Sequence, residues 1–285
     1  MLDSRARARL TRDRAVLAGA AIVAALLVFV LVGPLLARHG PLESDFAHGV
    51  SPDDMPVGPS AEFLLGTDRM FRDVLARLAC AGRLSLLIAV SATTIATVLG
   101  ATVGIVAGWY EGTPIDGVLM RVVDVMLAFP FLLLVMAIGA AIDRTSAATI
   151  LVTLGATGWL GTARVLRAKT IQVRSLEYVE ASRAIGQSTV GVMFKHVLPN
   201  ISGTLIVTAT IQVAQMIIAD SVLSYLGVGV APPTPTWGRM LFEGQDYYLV
   251  APWIVAAPAA AILLAVWGFN MLGEGLRDAL DPYEV

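Results

Sequence analysis

The side chains that most often do chemistry in proteins are scarce and scattered in this sequence. Cys80 is the only cysteine among 285 residues, so no disulfide can form within the chain. It stands between two alanines, where a small apolar filler is the expected role. The three histidines, His39, His48 and His196, show no H-E-x-x-H spacing. No catalytic residue and no metal site is therefore predicted.

The sequence also lacks the residues that bind a nucleotide. Its only lysines, Lys169 and Lys195, follow alanine and phenylalanine, so neither belongs to a G-x-x-x-x-G-K-[ST] phosphate-binding loop. The net charge of −2 offers no basic field for nucleic acid. We expect a non-catalytic chain with no cofactor of its own.

Residues 164–196 form a long polar segment in which charges and helix signals surround a turn signal. Glu177 and Glu180 precede Gly186, and apolar residues resume beyond it. Glycine tolerates the positive φ of a helix C-cap, so Gly186 predicts a break between two short helices. Pro199 falls where the next long helix would start, a position that suits proline. Composition alone fits a solvated loop equally well.

The elements that must position this segment are membrane helices. Hydrophobic residues make up 56% of the chain, charged residues 15%, and the mean hydropathy is +0.75. A helix needs roughly 20 apolar residues to cross a bilayer, and its backbone groups pair internally there. Six stretches contain no Asp, Glu, Lys or Arg: 15–37, 84–110, 125–142, 145–163, 197–219 and 247–273. They predict an all-α integral membrane protein with six transmembrane helices.

The distribution of Lys and Arg predicts the orientation. If all six stretches cross the membrane, thirteen of the twenty Lys and Arg residues lie on the side of the N-terminus. Both termini are then cytoplasmic. The predicted organisation is a cytoplasmic tail 1–14, a first helix 15–37, an extracytoplasmic segment 38–83, a five-helix core 84–273 with a cytoplasmic loop 164–196, and a cytoplasmic tail 274–285.

Three charged residues at the predicted helix ends are candidates for a translocation path or gate. Arg121 and Asp124 are three positions apart on one helix face and could pair. Asp220 is expected at the outer end of the fifth helix, near the mouth of a pore. Charge at the membrane suggests function, but snorkelling at a helix end or a hydrogen bond to a neighbouring loop explains these residues as well.

Several motifs in the right order resemble those of the permease subunits of ABC importers. Glu180-Ala181-Ser182, Gly186 and Leu198-Pro199 resemble the EAA signature of this family. The C-type subunits of dipeptide, oligopeptide and nickel importers are similar at further motifs: Leu65-Gly66-Thr67-Asp68, Arg72-Asp73, Met120-Arg121, Ala128-Phe129-Pro130, Ala219-Asp220-Ser221, Pro232-Pro233, Trp237-Gly238, Ala251-Pro252-Trp253 and Asp281-Pro282.

The resemblance implies a type I permease fold and a coupling loop that docks on a cytoplasmic ATPase. It assigns coupling to Glu177, Glu180, Ala181, Ser182, Gly186 and Pro199. It also implies a homologous second permease subunit, two ATPase subunits or domains that carry ATP and Mg, and an extracytoplasmic peptide-binding protein. The expected location is the bacterial inner membrane.

The segment 220–246 offers a candidate contact for the binding protein. Pro232, Pro233 and Trp237 combine a restricted backbone with a large aromatic ring, which suits an interface anchor. Trp237 fits equally well as an anchor in the membrane interface.

Four residues depart from the family pattern, and one of them, Tyr225, replaces a Phe and adds a hydroxyl that needs a hydrogen-bond partner. Ser182 replaces the usual Ala, which should not prevent docking. Phe71 replaces a Gly, which is expected to change the outer turn. Asp220 replaces a Glu, which shortens the reach of the carboxylate.

Other functions remain as alternatives. A nickel or metal-chelate permease has the same motifs. An ion-coupled secondary transporter would need ionisable residues within the helices, and the six stretches contain none. A membrane-embedded protease would need a catalytic constellation, and none is apparent.

Overall fold

The computed structural model describes residues 13–142 and 146–280, and its regular structure in these ranges is helical. The helices are α1 (Arg14–Leu36), α2 (Val74–Trp109), α3 (Pro114–Leu127), α4 (Phe131–Ala141), α5 (Ala147–Thr157), α6 (Leu160–Arg174), α7 (Glu177–Ala184), α8 (Thr189–Val192), α9 (Leu198–Tyr225), α10 (Trp237–Gly244) and α11 (Trp253–Leu280). One turn of π-helix, Met193–Val197, joins α8 to α9, and a short 3₁₀ turn, Gln245–Tyr247, follows α10. Most of the tail 1–14, the connection 143–144 and the Asp281-Pro282 motif lie outside the described residues.

Five helical segments are long and apolar enough to cross a membrane. They are Arg14–Leu36, Val74–Trp109, Ala147–Arg174, Thr189–Tyr225 and Trp253–Leu280. The stretch 125–142 was predicted to be one continuous helix, and this is wrong. It contains the end of α3 and all of α4, which meet at an angle of 88°. Pro130 has no N–H for a continuing helix and restricts Phe129 before it, so the chain turns there. Counting the bent pair as one span gives six.

Helix α2 begins at Val74, ten residues before the predicted start at 84. Asp73 caps it by accepting hydrogen bonds from the N–H groups of Leu75 and Ala76. Burial raises the pKa of Asp73. In the sequence Arg83 ends the charge-free stretch and Arg77 lies six residues before it, but both are accommodated in the helix. Arg83 donates to the carbonyl oxygens of Val30 and Leu31 in α1, and Arg77 joins a buried ionic cluster.

This ionic cluster links the chain before α2 to α10. Asp68 Oδ2 lies 2.7 Å from Arg72 Nη2 and 3.1 Å from Arg77 Nε. Glu243 Oε2 accepts hydrogen bonds from the same two arginines at 3.0 and 2.8 Å. Arg239 Nε donates to the other oxygen of Glu243 at 3.1 Å. Because all five side chains are largely buried, each charge depends on its neighbours.

Helices α2 and α6 are in close contact along a row of small residues. A Cβ atom added at Gly100, Gly104 or Gly108 would lie 2.6–2.7 Å from an atom of α6. The backbone of α2 therefore approaches α6 closely, as the small-x-x-x-small spacing predicts.

The first and last helices also pack together. A Cβ at Gly19 of α1 would lie 2.5 Å from Leu272 N and 2.8 Å from Gly268 O of α11. A glycine of α11 approaches α1 as closely, because a Cβ at Gly275 would lie 2.7 Å from Val16 N. Helix α1 is thus part of the bundle, and α11 covers one of its faces.

Candidate functional site

The segment that follows α6 forms the helix–turn–helix that the sequence predicts. Helix α7 ends at Ala184, and Gly186 has a φ of +86°. Ser188 then caps α8 by accepting a hydrogen bond from Gly191 N. Pro199 is the second residue of α9, within its first turn, as predicted. We call residues 175–197 the loop hairpin.

The inner face of the loop hairpin is apolar and packs on the ends of α2, α6 and α9. Val179 of α7 has no exposed surface, and neither has Val192 or Val197. Around them lies one hydrophobic cluster, which we call the loop core: Ala101, Trp109, Leu166, Val173, Val179, Val192, Val197 and Ile201. Burial of a Val side chain contributes about 1.5–3 kcal/mol. The loop hairpin is therefore fixed to the bundle.

Three polar side chains tie the two halves of the loop hairpin together. Ser182 Oγ donates a hydrogen bond to Gln187 Oε1 at 2.8 Å. His196 Nε2 lies 2.9 Å from Ser182 Oγ and 3.0 Å from Gln187 Oε1. Ser182 itself is 8% exposed. The family usually has Ala at this position. The additional hydroxyl of Ser182 has hydrogen-bond partners inside the loop hairpin, so it does not change the exposed face of α7.

The outer face of α7 carries three of the residues for which the family resemblance implies coupling. Glu177, Glu180 and Ala181 are exposed. Beside them Tyr178 and Ile185 are 45% and 85% exposed. Two carboxylates, one small residue and exposed apolar side chains on a firmly held helix form a surface suited to docking a protein partner.

The arginines of α6 are engaged by acidic residues that precede or belong to α3. Arg167 donates two hydrogen bonds to Asp116 at 2.6 and 2.7 Å. Arg164 pairs with Asp124. The predicted Arg121–Asp124 pair is therefore wrong, because α6 supplies the partner of Asp124. Arg121 is exposed and has no ion-pair partner among the described residues.

Asp220 lies inside the helix bundle rather than at an open mouth. It has no exposed surface. One of its oxygens accepts a hydrogen bond from Ser85 Oγ of α2 at 3.2 Å. The same hydroxyl oxygen accepts from the backbone N–H of Trp237 at 3.2 Å. Asp220 thus helps to join α9, α2 and α10, and its role in a translocation path or gate stays a prediction.

The segment before α10 is divided between exposed and buried residues. Pro232 and Pro233 are exposed, whereas Trp237 has no exposed surface. The indole Nε1 of Trp237 donates to Leu78 O at 3.1 Å. The Trp237 side chain is therefore neither a surface contact for a partner nor a membrane-interface anchor. Of the three candidate contact residues, Pro232 and Pro233 are the exposed ones.

A cavity of about 610 Å³ opens between the α3–α4 bend, α6 and α9. Its polar lining includes Gln212, which donates to Gly158 O at 2.7 Å and accepts from Thr162 Oγ1 at 3.2 Å. Gln215 also lines the cavity. None of Arg121, Asp124 and Asp220 is among the lining residues in the described part of the chain. Neither glutamine was predicted, because both lie in the apolar stretch 197–219, where an uncharged amide adds no signal to the hydropathy pattern.

Together, the apolar helices, a cavity between them and a loop packed on the bundle indicate a polytopic membrane protein. Residues 100–283 match the family described as "Binding-protein-dependent transport system inner membrane component". Residues 4–52 match "N-terminal TM domain of oligopeptide transport permease C". The chain belongs to the family of binding-protein-dependent transport permeases, which are non-catalytic subunits.

Individual relatives cover nearly the whole chain. The di/tripeptide transport system permease protein DppC of Pseudomonas aeruginosa is 41% identical over 90% of this chain and 84% of its own length. The dipeptide transport system permease protein DppC of Alkalihalophilus pseudofirmus is 36% identical over 96% of this chain and 88% of its own. The oligopeptide transport system permease protein OppC of Escherichia coli is 35% identical over 97% and 90%.

One solved structure shares the fold. It is the MetNI methionine ABC transporter in an inward-facing conformation, with a TM-score of 0.56 and 19% identity. The match covers 70% of this chain and 94% of that chain. At this identity the likeness shows the fold alone. The type I permease fold predicted from the resemblance is thereby confirmed.

Proposed function

We propose that this chain is a transmembrane pore subunit of an ATP-driven importer for di- or oligopeptides in the bacterial inner membrane. The observation that carries the coupling part of the proposal is the outer face of α7, which is exposed while its inner face is fixed to the bundle. The peptide part is supported by relatives named as dipeptide, di/tripeptide and oligopeptide permeases. ATP and Mg would bind to the partner ATPase subunits, where ATP is hydrolysed.

The proposed partners follow from this role. A second, homologous permease would complete the pore, two ATPase subunits or domains would dock on the loop hairpin, and an extracytoplasmic binding protein would deliver the peptide. In this arrangement the loop hairpin faces the cytoplasm and both termini are cytoplasmic. The exposed Pro232 and Pro233 remain the candidate contact for the binding protein.

The loop hairpin is connected to the cavity through two helices. Leu166 of α6 and Ile201 of α9 belong to the loop core. Further along the same helices, Thr162 and Gln212 line the cavity. A rigid-body displacement of α7 by the ATPases would therefore move α6 and α9, and with them the cavity walls. This is the kind of movement that alternates access between two sides of a membrane.

The lining of the cavity suits a peptide. The described lining residues are uncharged, and the exposed amide of Gln215 can both donate and accept hydrogen bonds, whereas the buried amide of Gln212 already bonds Gly158 O and Thr162 Oγ1. A peptide backbone offers the same two functions at every residue. Such a wall can hydrogen-bond the backbone of a passing peptide whatever its side chains are.

Two of the alternative functions can be compared with the peptide importer. Membership in the binding-protein-dependent family excludes the ion-coupled secondary transporter. A nickel or metal-chelate importer remains the second candidate because the sequence motifs are shared. The three relatives described above are named for peptides, which favours peptide cargo.

Uptake by the reconstituted complex tests the cargo. The chain would be placed in proteoliposomes with its second permease and ATPases, and supplied with the binding protein. We expect ATP-dependent uptake of a labelled dipeptide or pentapeptide. Uptake of a nickel chelate without uptake of either peptide would contradict the peptide proposal and leave the importer class intact.

Substitutions on α7 test the coupling. Ala181→Trp should abolish peptide-stimulated ATP hydrolysis, because the bulky ring would separate α7 from the surface on which it docks. Ala168→Trp is the matched control, since Ala168 is also exposed but lies on α6. Glu180→Ala should cost about 0–1 kcal/mol of ATPase binding if its carboxylate stays solvated and roughly 3–5 kcal/mol if docking buries it against a basic group. Normal coupling in both α7 variants would overturn the assignment.

A further inference from the structure

Two histidines and two acidic residues that are separate in the sequence meet in the connection between α1 and α2. His39 Nε2 lies 3.5 Å from Asp45 Oδ2, and His48 Nδ1 lies 3.3 Å from the same oxygen. Glu62 Oε1 lies 3.9 Å from His48 Nδ1. The ligand atoms of His39, Asp45 and Glu62 are all within 4.8 Å of one another.

Local contacts fix the orientation of these side chains. Asp45 Oδ1 accepts hydrogen bonds from the backbone N–H groups of Ala47 and His48 at 2.9 and 3.0 Å. Its Oδ2 atom is thereby directed at the two imidazoles. The His39 ring stacks on Phe63 with a centroid distance of 4.8 Å. Its Nδ1 is buried and has no partner among the described residues. Nε2 is therefore the His39 nitrogen that an incoming ligand can reach.

The spacing and the chemistry of these atoms fit a transition metal. Zn²⁺ forms bonds of about 2.0–2.2 Å to His and carboxylate ligands in tetrahedral geometry, which places the ligand atoms about 3.3–3.5 Å apart. The His39–Asp45 distance of 3.5 Å has this value, and the Glu62 ligand atom lies within 4.8 Å of both others, so a small rotation of this side chain would bring it to ligand distance. Imidazole nitrogens suit Zn²⁺ and its neighbours in the series, whereas Mg²⁺ and Ca²⁺ require oxygen ligands.

We propose that His39, Asp45 and Glu62 form a binding site for one divalent transition-metal ion of the zinc class, with His48 beside it at 3.3 Å from Asp45 Oδ2. The side chains of His39, Asp45 and Glu62 are 25%, 20% and 42% exposed, so solvent reaches the site and the ion exchanges. A bound ion would cross-link the chain just after α1 to a segment more than twenty residues further on. This site lies outside the proposed transport function, because neither the cavity nor the loop hairpin includes any of its residues.

Metal binding by the purified full chain tests this proposal. The chain would be purified through a tag without histidine, placed in lipid nanodiscs and dialysed against Zn²⁺ in the presence of excess Mg²⁺. We expect one Zn²⁺ per chain. Loss of an outer-shell partner lowers metal affinity about 10–100-fold. Because His39 and Glu62 would bind the ion directly, His39→Asn and Glu62→Gln should each lower the Zn²⁺ affinity by at least that factor. Asp45 is left unchanged because it also holds the local turn.

Two matched variants separate this site from adventitious binding. His196→Asn removes the one remaining histidine, and Glu43→Gln changes an exposed acid in the same connection. Both should retain one Zn²⁺ with unchanged affinity. Co²⁺ in place of Zn²⁺ should give the intense visible absorption of a tetrahedral site, and His39→Asn should abolish it. No bound Zn²⁺, or a bound Zn²⁺ that is lost in His196→Asn and kept in Glu62→Gln, would overturn the proposal. Peptide uptake is not involved in either readout, so the proposed function stands or fails separately.

Discussion

Gly186 is the residue on which the shape of the loop hairpin depends. Its φ of +86° is in the region that β-branched residues avoid, and a Cβ added there would meet no atom within 4 Å. The requirement is thus for backbone conformation and not for space. Gly186→Val should therefore disrupt the turn between α7 and α8 and reduce peptide-stimulated ATP hydrolysis. Gly186→Asn should retain most of it, because Asn tolerates the left-handed region.

The comparison of the two Gly186 variants is the test. Pull-down of the ATPase subunit shows whether the reconstituted complex still assembles. Equal activity in the Val and Asn variants would show that the left-handed turn is dispensable.

Glu243 is the residue on which the buried ionic cluster depends. Its carboxylate contacts Arg72, Arg77 and Arg239, and its side chain is 10% exposed. Glu243→Gln keeps the shape but leaves the arginines with one counter-charge fewer, and breaking a buried pair costs about 3–5 kcal/mol. We expect a lower midpoint of denaturation in detergent. Asp246→Asn, an exposed neighbour, should leave the midpoint unchanged, and an equal effect of both changes would contradict this role.

The sequence predicts those site residues that act through their own backbone conformation. It does not predict contacts between residues that are far apart in the chain. Gly186 and Pro199 act through their own backbones, so their positions could be predicted. Phe71 was expected to change the turn in which it replaces a glycine, yet it adopts a φ of +60°, and its ring packs against Phe46 at 5.5 Å. The partners of Asp124 and Ser182 come from other elements. Only the tertiary structure brings them together.

At the scale of the element, the contact between α2 and α6 limits the size of the side chains in its row of glycines. Gly104→Val would place a branched side chain against Ala163 O, which a Cβ alone would approach to 2.6 Å. Overpacking costs about 1–3 kcal/mol, and backbone on the opposite side cannot yield easily. The denaturation midpoint in detergent should fall. Gly117→Val is the control, because Gly117 is also helical and has open space around it. A midpoint for Gly104→Val equal to that of the control would contradict close packing.

Charge-free stretches located the membrane helices but not all of their ends. The charge-free stretch begins after Arg83, although Arg83 and Arg77 both find partners and α2 continues back to Val74. Conversely, nothing in hydrophobicity marks the bend before α4, because Pro130 stops a helix without adding charge. Hydropathy reports how apolar a stretch is. It does not report where a proline ends a helix, nor whether a charged side chain finds a partner inside the bundle.

At the scale of the whole molecule, the orientation in the membrane can be tested with single cysteines. In a Cys80→Ala background, Asp53→Cys and Ala231→Cys place thiols at exposed positions in the two long connections, and Ile185→Cys places one on the loop hairpin. The excess of Lys and Arg on the side of the N-terminus predicts that a membrane-impermeant maleimide labels the first two in intact cells. Ile185→Cys should react only after permeabilisation. Labelling of Ile185→Cys in intact cells would place the loop hairpin on the wrong side for coupling.

The packing of α1 against α11 affects how the protein is made. Residues 37–252 separate the two helices, and a ribosome needs roughly 10–40 s to synthesise that length at 5–20 residues per second. During this time the face of α1 around Gly19 has only lipid or other proteins to contact. Biogenesis of the bundle is therefore completed by its last helix. A message that ends before the codon for Trp253 would yield a chain in which α1 has lost this partner, and such a chain is a natural target for membrane proteases.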